Sequence, residues 1–234
     1  MICGPCIVVP AYNEEKRLLK YKDIWIESNK KYFIILVDDG SVDNTSKIAK
    51  DLNFYMVIRR ESNIGKGYSV REGVLEALRQ GAESILYVDA DLSVMPDEWE
   101  IVLNELKDSD IVVGSRNLKE SEVERSLYRD AISKILSRLQ NSILNLGIKD
   151  TQCGCKAFRR EAAEKIFYAP LKHNRFEFDI EVLIRARKNG LKIKEVGIKW
   201  HEEKGSKVHI IRDGIEIAKL LIEAQREKSI LKST

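Results

Sequence analysis

The segment Phe33-Ile-Ile-Leu-Val-Asp-Asp-Gly-Ser41 decides the fold, because a short apolar run leads directly into two carboxylates and a turn. Five consecutive apolar residues of this kind are typical of a buried strand in a parallel sheet. The segment Cys6-Ile-Val-Val-Pro10 has the same form and leads into Ala-Tyr-Asn-Glu14. This repetition of an apolar run and a polar turn indicates an α/β protein.

Helical patterns alternate with the apolar runs and predict a mostly parallel sheet with helices on both faces. Ser41 or Asp43 is the expected N-cap of the second helix, and Gly81 is expected to end the third. The predicted strands span 6–10, 33–37, 55–58, 85–88, 111–113 and 192–200. The predicted helices span 14–29, 41–52, 66–80, 96–106, 127–146, 180–189 and 210–227.

Composition excludes several classes of protein. The 234 residues are 44% hydrophobic and 33% charged, which excludes a disordered chain. The longest apolar stretches, such as 32–37, are far shorter than the ~20 residues that a membrane-spanning helix needs. No signal-peptide pattern opens the chain, so we expect a cytoplasmic protein.

Charge is distributed unevenly between the two halves. Residues 1–110 carry 14 basic and 20 acidic side chains, whereas residues 111–234 carry 26 basic and 17 acidic ones. An acidic first half favours metal binding and a basic second half favours an anionic partner, although ordinary surface variation explains the difference equally well.

The chemistry-bearing residues follow predicted strands, where ligands bind in open α/β sheets. Asp89-Ala-Asp91 places two carboxylates on one side of an extended segment, and paired oxygen ligands favour Mg²⁺ or Mn²⁺. Alone, such a pair is more often a solvated loop; after a buried strand, it indicates a metal site. Asp38-Asp39-Gly40-Ser41 could accept hydrogen bonds from a nucleotide, or simply form a capped turn. Asn63-Ile-Gly65-Lys66-Gly67 places flexible backbone and a cation at a helix start, which favours phosphate.

Other classes have weaker support. Cys3-Gly-Pro-Cys6 has the spacing of a redox motif, but it precedes a strand instead of opening a helix. A zinc site with Cys153 and Cys155 would need unusual spacing. The three histidines form no hydrolase motif, and no nucleic-acid-binding motif is present.

Taken in order, these motifs together with Gly114-Ser-Arg116 resemble family 2 glycosyltransferases of the GT-A fold. Within that family the chain is similar to the dolichyl- and polyprenyl-phosphate sugar synthases. The resemblance implies one GT-A (Rossmann-like) domain over 1–234, with a nucleotide and metal half (1–115), an acceptor half (116–209) and an amphipathic C-terminal helix (210–234).

The resemblance also implies roles for individual residues. The nucleotide would be held by Pro10, Tyr12, Glu14, Asp38, Asp39, Lys66 and Asp89, the metal by Asp89 and Asp91, the acceptor phosphate by Arg116, Arg129, Ser133, Lys204 and Lys207, and the sugar by Asp150, Gln152 and Asp179. Asp91, Arg116 and Arg129 would be the catalytic residues.

The chain departs from the mannosyl branch at Ser93, where mannosyl-phosphate synthases usually have a glutamine that binds the metal. The segments 150–156 and 178–181, and Trp200 before Gly205-Ser-Lys207, are more similar to the glucosyl branch. The resemblance therefore favours UDP-glucose over GDP-mannose as the donor.

The implied reaction is an inverting, metal-dependent transfer of a hexose to a polyprenyl phosphate. A phosphate dianion is already a nucleophile, whereas a soluble sugar acceptor would require a base such as Asp179 or Asp150. The amphipathic helices would hold the chain peripherally on the cytosolic face of a membrane, beside a membrane protein or a second copy. The alternative from another class of function is a non-catalytic partner subunit. Such a subunit should have lost a metal carboxylate or the acceptor arginines, whereas this chain retains Asp89, Asp91, Arg116 and Arg129.

Overall fold

The computed structural model describes residues 2, 4–124, 146–175 and 177–203. Its main sheet has seven strands, namely β1 (Cys6–Ala11), β2 (Phe33–Asp38), β3 (Met56–Arg59), β4 (Ser84–Val88), β5 (Ile111–Ser115), β7 (Cys155–Arg159) and β8 (Ile193–Gly197). Their order is β3-β2-β1-β4-β7-β5-β8. All neighbours are parallel except β7, which is antiparallel to both β4 and β5. The predicted, mostly parallel sheet is confirmed. A separate parallel ribbon joins β6 (Glu122–Glu124) and β9 (Lys199–His201).

Helices cover both faces of this sheet, as predicted. Alternate residues of β1 point to opposite sides, so Val8 packs in one apolar core and Val9 in the other. The helices are α1 (Glu15–Lys20), α2 (Lys22–Lys31), α3 (Thr45–Asp51), α4 (Lys66–Arg79), α5 (Pro96–Asn104), α6 (Arg160–Phe167) and α7 (Phe178–Lys188), with a 3₁₀ turn at Glu105–Lys107. Helices α4, α6 and α7 contribute to the Val8 core, and α1, α2, α3 and α5 to the Val9 core.

The register brings the predicted motifs to one edge of the sheet. Ala11 at the end of β1 is opposite Asp38 at the end of β2, and β4 lies on the other side of β1. Because β7 is antiparallel, its first residue, Cys155, is paired with Val88, the last residue of β4. The segment 150–154 therefore lies beside the Asp89–Asp91 turn.

Two predicted helices have different limits. The helix predicted over 14–29 is interrupted at Tyr21, whose backbone leaves the helical region (φ −108°, ψ 22°). The Tyr21 hydroxyl donates to the carboxylate of Glu203, a contact that local periodicity cannot reveal. The helix predicted over 41–52 begins at Thr45, so the N-cap prediction at Ser41 or Asp43 is wrong. Asp43 instead accepts a hydrogen bond from the Thr45 backbone N–H within the turn (3.0 Å).

The second half was predicted less completely. Strand β7 and helix α6 have no counterpart in the predicted elements. The single strand predicted over 192–200 is two strands, because β8 joins the main sheet and β9 leaves it for the ribbon. The helix predicted over 180–189 corresponds to α7, and Gly190 follows it with a φ of +66°. The predicted helices at 127–146 (except residue 146) and 210–227 lie outside the described residues.

Candidate functional site

The turn after β1 is fixed by hydrogen bonds to the turn after β2. The Asn13 N–H donates to the Ser41 hydroxyl, and the Glu14 N–H donates to the Thr45 hydroxyl, both at 2.8 Å. The Glu14 carboxylate is buried and accepts two bonds from Arg17, at 2.8 and 2.9 Å. These contacts hold the predicted nucleotide residues Pro10, Tyr12 and Glu14 at the edge of the sheet.

Asp38 and Asp39 are both buried, but they contact different segments. The Asp38 carboxylate accepts hydrogen bonds from the Ser41 N–H (2.8 Å) and from the Ser46 hydroxyl. It therefore stabilises its own turn. The Asp39 carboxylate accepts bonds from the N–H groups of Ile64 (3.1 Å) and Gly65 (2.8 Å). Asp39 thus joins the end of β2 to the loop before α4.

That loop places Lys66 at the start of α4. Gly65 has a φ of +118°, and a Cβ there would overlap the Asn174 carbonyl oxygen. The Asn174 side-chain amide donates a hydrogen bond to the Ile64 carbonyl oxygen (2.7 Å). The Asn174 backbone carbonyl oxygen accepts a hydrogen bond from the Gly67 N–H (2.8 Å). A glycine is required here because only it combines this backbone conformation with so close a neighbour.

Asp89 and Asp91 follow β4, as predicted, but they lie in a turn. The strand ends at Val88, and Leu92 has a φ of +53°, so the prediction of an extended segment is wrong. Asp89 forms an ion pair with Lys66, in which Lys66 Nζ lies 2.5 Å from Asp89 Oδ1. Asp91 accepts a hydrogen bond from the Ser93 N–H (3.0 Å).

The charges of this turn influence one another. Burial raises the pKa of Asp91, and the neighbouring Asp89 carboxylate raises it further. Burial works to lower the pKa of the Lys66 ammonium, but three carboxylates outweigh it and raise that pKa. The three belong to Asp89, Asp179 and Asp91. The site therefore retains a charged ammonium in the middle of its acidic residues.

The segment before β7 contacts Asp89 directly. A Cβ on Gly154 would overlap the Asp89 carboxylate, so the carboxylate lies against bare backbone. Two residues later, the fully buried Lys156 donates to the Cys153 carbonyl oxygen (2.6 Å) and to Asp179 Oδ1 (2.5 Å). This arrangement fixes the Cys153–Gly154 backbone beside the Asp89–Asp91 turn.

Asp179 is enclosed by its partners. The residue is 2% exposed, and its Oδ1 also accepts a hydrogen bond from the Tyr87 hydroxyl. The Lys156 ammonium lies 5.6 Å from the centre of the Tyr87 ring. Asp179, predicted to bind the sugar, is thus buried, and one of its oxygens already accepts two hydrogen bonds.

Arg116 and Asp150 form a buried, bidentate ion pair. Arg116 Nε and Nη2 lie 2.7 and 2.8 Å from the two Asp150 oxygens, and the Arg116 N–H also donates to Asp150 (2.9 Å). Burial works to raise the pKa of Asp150, but the Arg116 charge outweighs it and holds the pKa below its ordinary value. The guanidinium lies 5.6 Å from the centre of the Trp200 ring. Arg116 is also close enough to Asp89 for that carboxylate to act on its pKa.

The structure brings together most of the described site residues that the sequence predicted, and it adds two. Gln152 lies half-buried between Asp150 and Gly154. Gly154 and Lys156 were not predicted as site residues; a lysine inside an otherwise apolar strand was the available signal. The remaining predicted residues lie outside the described residues. These are Arg129, Ser133, Lys204 and Lys207.

The three described cysteines do not have the environment of a redox centre, and Cys3 lies outside the described residues. Cys6, Cys153 and Cys155 are free and buried. Burial raises the pKa of the Cys6 and Cys153 thiols to about 12, whereas a reactive thiol requires a lowered pKa. Within residues 4–124, 146–175 and 177–203 (and residue 2), no three His, Cys, Asp or Glu side chains form a metal-binding group. Over the same ranges, no helix is both long and apolar enough to cross a bilayer.

This sheet, with two carboxylates in a turn after its central strand, is the GT-A architecture of glycosyltransferases. The family model for glycosyl transferase family 2 matches residues 6–167, and the chain belongs to that family. The predicted family and fold are confirmed.

Curated relatives are dolichyl-phosphate beta-glucosyltransferases. The Homo sapiens protein is 38% identical over 86% of this chain and 68% of its own length. The Saccharomyces cerevisiae protein is 34% identical over 92% of this chain and 72% of its own length. The predicted similarity to the glucosyl branch is therefore confirmed.

The solved structures show a likeness of fold. Glucosyl-3-phosphoglycerate synthase from Mycobacterium tuberculosis, in complex with phosphoglyceric acid, has a TM-score of 0.70 and 17% identity. The match covers 94% of this chain and 79% of that one. A second crystal structure of that enzyme, with a TM-score of 0.68 and 18% identity, contains Mn²⁺, UDP and phosphoglyceric acid. It covers 94% of this chain and 76% of that one.

Proposed function

We propose that this chain transfers glucose from UDP-glucose to dolichyl phosphate, or to a related polyprenyl phosphate, with Mg²⁺ or Mn²⁺ as cofactor. One observation carries the proposal: Lys66 Nζ lies 2.5 Å from Asp89 Oδ1, and Arg116 is close enough to the same carboxylate for it to raise the pKa of the guanidinium. The residues proposed for the donor diphosphate, the metal and the acceptor phosphate therefore share one electrostatic site. The names of the curated relatives supply the sugar and the lipid.

The nucleotide would bind across the ends of β1 and β2. Pro10, Tyr12 and Glu14 would contact it from the first turn. Asp38 would act by fixing the second turn, since its carboxylate is bonded to that turn's own residues. Asp39 would hold the loop before α4 against the nucleotide.

Asp89 and Asp91 would hold the divalent cation, because paired carboxylate oxygens are the donor set that Mg²⁺ and Mn²⁺ prefer. When bound, the cation neutralises charge that develops on the diphosphate leaving group. Two protein ligands leave room for diphosphate oxygens and water. Ser93 would orient Asp91 through its N–H instead of binding the metal itself.

Arg116, Arg129, Ser133, Lys204 and Lys207 would bind the acceptor phosphate. The second pKa of a phosphate monoester is ~6, so the dianion predominates at neutral pH and attacks without a general base. A direct displacement inverts the sugar carbon, so an α-linked donor yields a β-linked product.

The contacts of the described residues favour this acceptor over a soluble sugar, which would need a base. Asp179 is 2% exposed and is bonded to Lys156 and Tyr87. Asp150 is occupied by Arg116. We propose instead that Asp150, Gln152 and Asp179 shape the pocket for the sugar.

We further propose that the chain lies on the cytosolic face of a membrane, where its lipid acceptor would be available. The amphipathic patterns at 127–146 and 210–227 would supply the attachment, which is reversible for a helix that lies in the interface. Flotation with vesicles that contain anionic lipid and dolichyl phosphate tests this: the chain should float with them, and failure to float would contradict the proposal.

The test of function is a transfer assay with Mn²⁺, dolichyl phosphate and labelled UDP-glucose or GDP-mannose. Label should enter the organic phase from UDP-glucose. Asp91→Asn should reduce transfer at least about a hundredfold, because the metal supplies several kcal/mol. The exposed Asp51→Asn is the matched control.

Other outcomes contradict the proposal in different ways. Organic-phase label from GDP-mannose alone would indicate a mannosyltransferase. A labelled, water-soluble glycoside would indicate a soluble acceptor. No transfer from either donor would favour a non-catalytic partner subunit.

A further inference from the structure

Lys66 occupies the position at Asp89 where a positive charge is needed. Its Nζ lies 2.5 Å from Asp89 Oδ1, and the Lys66 side chain is only 18% exposed. Asp91 and Asp179 lie near enough to favour the charged ammonium as well. The ammonium therefore balances the acidic residues when no other cation is bound.

The backbone on either side of Lys66 is fixed by hydrogen bonds, whereas its ammonium can change partner. Gly67, directly after Lys66, donates to the Asn174 carbonyl oxygen (2.8 Å), and Asp39 holds Gly65 (2.8 Å). By contrast, Nζ pairs with the Asp89 carboxylate, which is 38% exposed. The flexible four-carbon stem of lysine lets the ammonium change partner without any movement of α4.

We propose that Lys66 is an exchangeable counterion, which competes with the divalent cation for Asp89 and moves to the diphosphate when the nucleotide binds. This inference rests on the proposed function. An oxygen that accepts a short bond from an ammonium cannot at the same time donate that lone pair to a metal. A diphosphate offers the ammonium new anionic oxygens, and its arrival leaves Asp89 free.

Two consequences of opposite sign follow. Without nucleotide, Lys66 weakens metal binding, both by occupying Asp89 and by repelling the cation. With nucleotide, Lys66 strengthens the complex, because it contacts the diphosphate. Metal and nucleotide binding are therefore coupled through Lys66, and the coupling is reciprocal.

The experiment measures Mn²⁺ binding by electron paramagnetic resonance, with and without UDP, in the full chain and in Lys66→Met. Lys66→Met should bind Mn²⁺ at least about threefold more tightly without UDP, since a nearby like charge is removed. In the presence of Mn²⁺, the same variant should bind UDP at least about tenfold more weakly. Lys66→Arg should keep the weak nucleotide-free metal binding of the original chain. Lys165→Met, at an exposed position on α6, is the matched control.

The proposed exchange would be overturned if a folded Lys66→Met variant bound Mn²⁺ no more tightly than the original chain in the absence of UDP. If the original chain still bound Mn²⁺ with UDP, the proposed function would stand. If the original chain bound no Mn²⁺ even with UDP, both would fail. A thermal melt establishes that each variant is folded, and Lys66→Gln replaces the Met variant if it is not.

Discussion

Lys156→Met should destabilise the fold strongly, because it removes one partner of a buried ion pair. Lys156 is 0% exposed, the Asp179 side chain is 3% exposed, and their charged atoms lie 2.5 Å apart. Removal of one member leaves an uncompensated buried charge, which costs about 3–5 kcal/mol. That is a large share of the ~5–15 kcal/mol that stabilises a typical domain. For a chain of this size the midpoint of thermal unfolding should fall by about 6–20 °C.

The assay is urea and thermal unfolding, followed by circular dichroism. The double variant Lys156→Met/Asp179→Asn should recover most of the loss, since both charges are gone and the amide oxygen still accepts from Tyr87. The exposed Lys165→Met should change the free energy of unfolding by less than about 0.5 kcal/mol. A loss below about 1 kcal/mol for Lys156→Met, or a double variant as unstable as the single one, would refute the reasoning.

Two further predictions concern the neighbourhood of this pair. Gly154→Ala should weaken Mn²⁺ binding in the presence of UDP at least severalfold, because its Cβ displaces the Asp89 carboxylate; Gly4→Ala, whose Cβ would meet its nearest neighbour at 3.8 Å, should not. Equal Mn²⁺ affinities for the two variants would contradict that role. Cys6 and Cys153 should resist thiol reagents in the native protein at pH 8 and react after unfolding, because burial raises both pKa values to about 12. Mass spectrometry of the labelled chain checks this, and rapid native labelling of either thiol would count against it.

The sheet edge could be predicted from sequence because each strand there is a run of apolar residues that ends in a polar turn. The runs before Glu14, Asp38 and Asp89 each signal burial on both faces, and topology then brings their ends together. Local patterns were sufficient for this part of the fold, since the determining residues are neighbours in sequence.

Strand β7 could not be predicted in the same way. Lys156 interrupts its apolar pattern, and a buried lysine is rare unless it is paired. Its partner Asp179 is 23 residues away, on helix α7. The break in the helix at Tyr21 also has no local signal in the sequence, and the Tyr21 hydroxyl contacts Glu203, 182 positions further on. Local patterns do not reveal contacts between residues so far apart.

The site residues show why predicting them is not the same as predicting their energetics. Lys66 and Asp89 were assigned to the nucleotide and the metal, and Arg116 and Asp150 to the acceptor and the sugar, yet each pair is joined in the structure. A ligand that binds either pair must replace or share an existing charge-assisted bond. Its affinity therefore reflects the difference in free energy between the bond that it makes and the bond that it replaces. The 38% exposure of Asp89 makes the first pair the easier to exchange, whereas Asp150, at 3%, keeps Arg116 oriented. If the proposed function holds, the Lys66–Asp89 pair should therefore rearrange when the donor binds, while Arg116 stays in place.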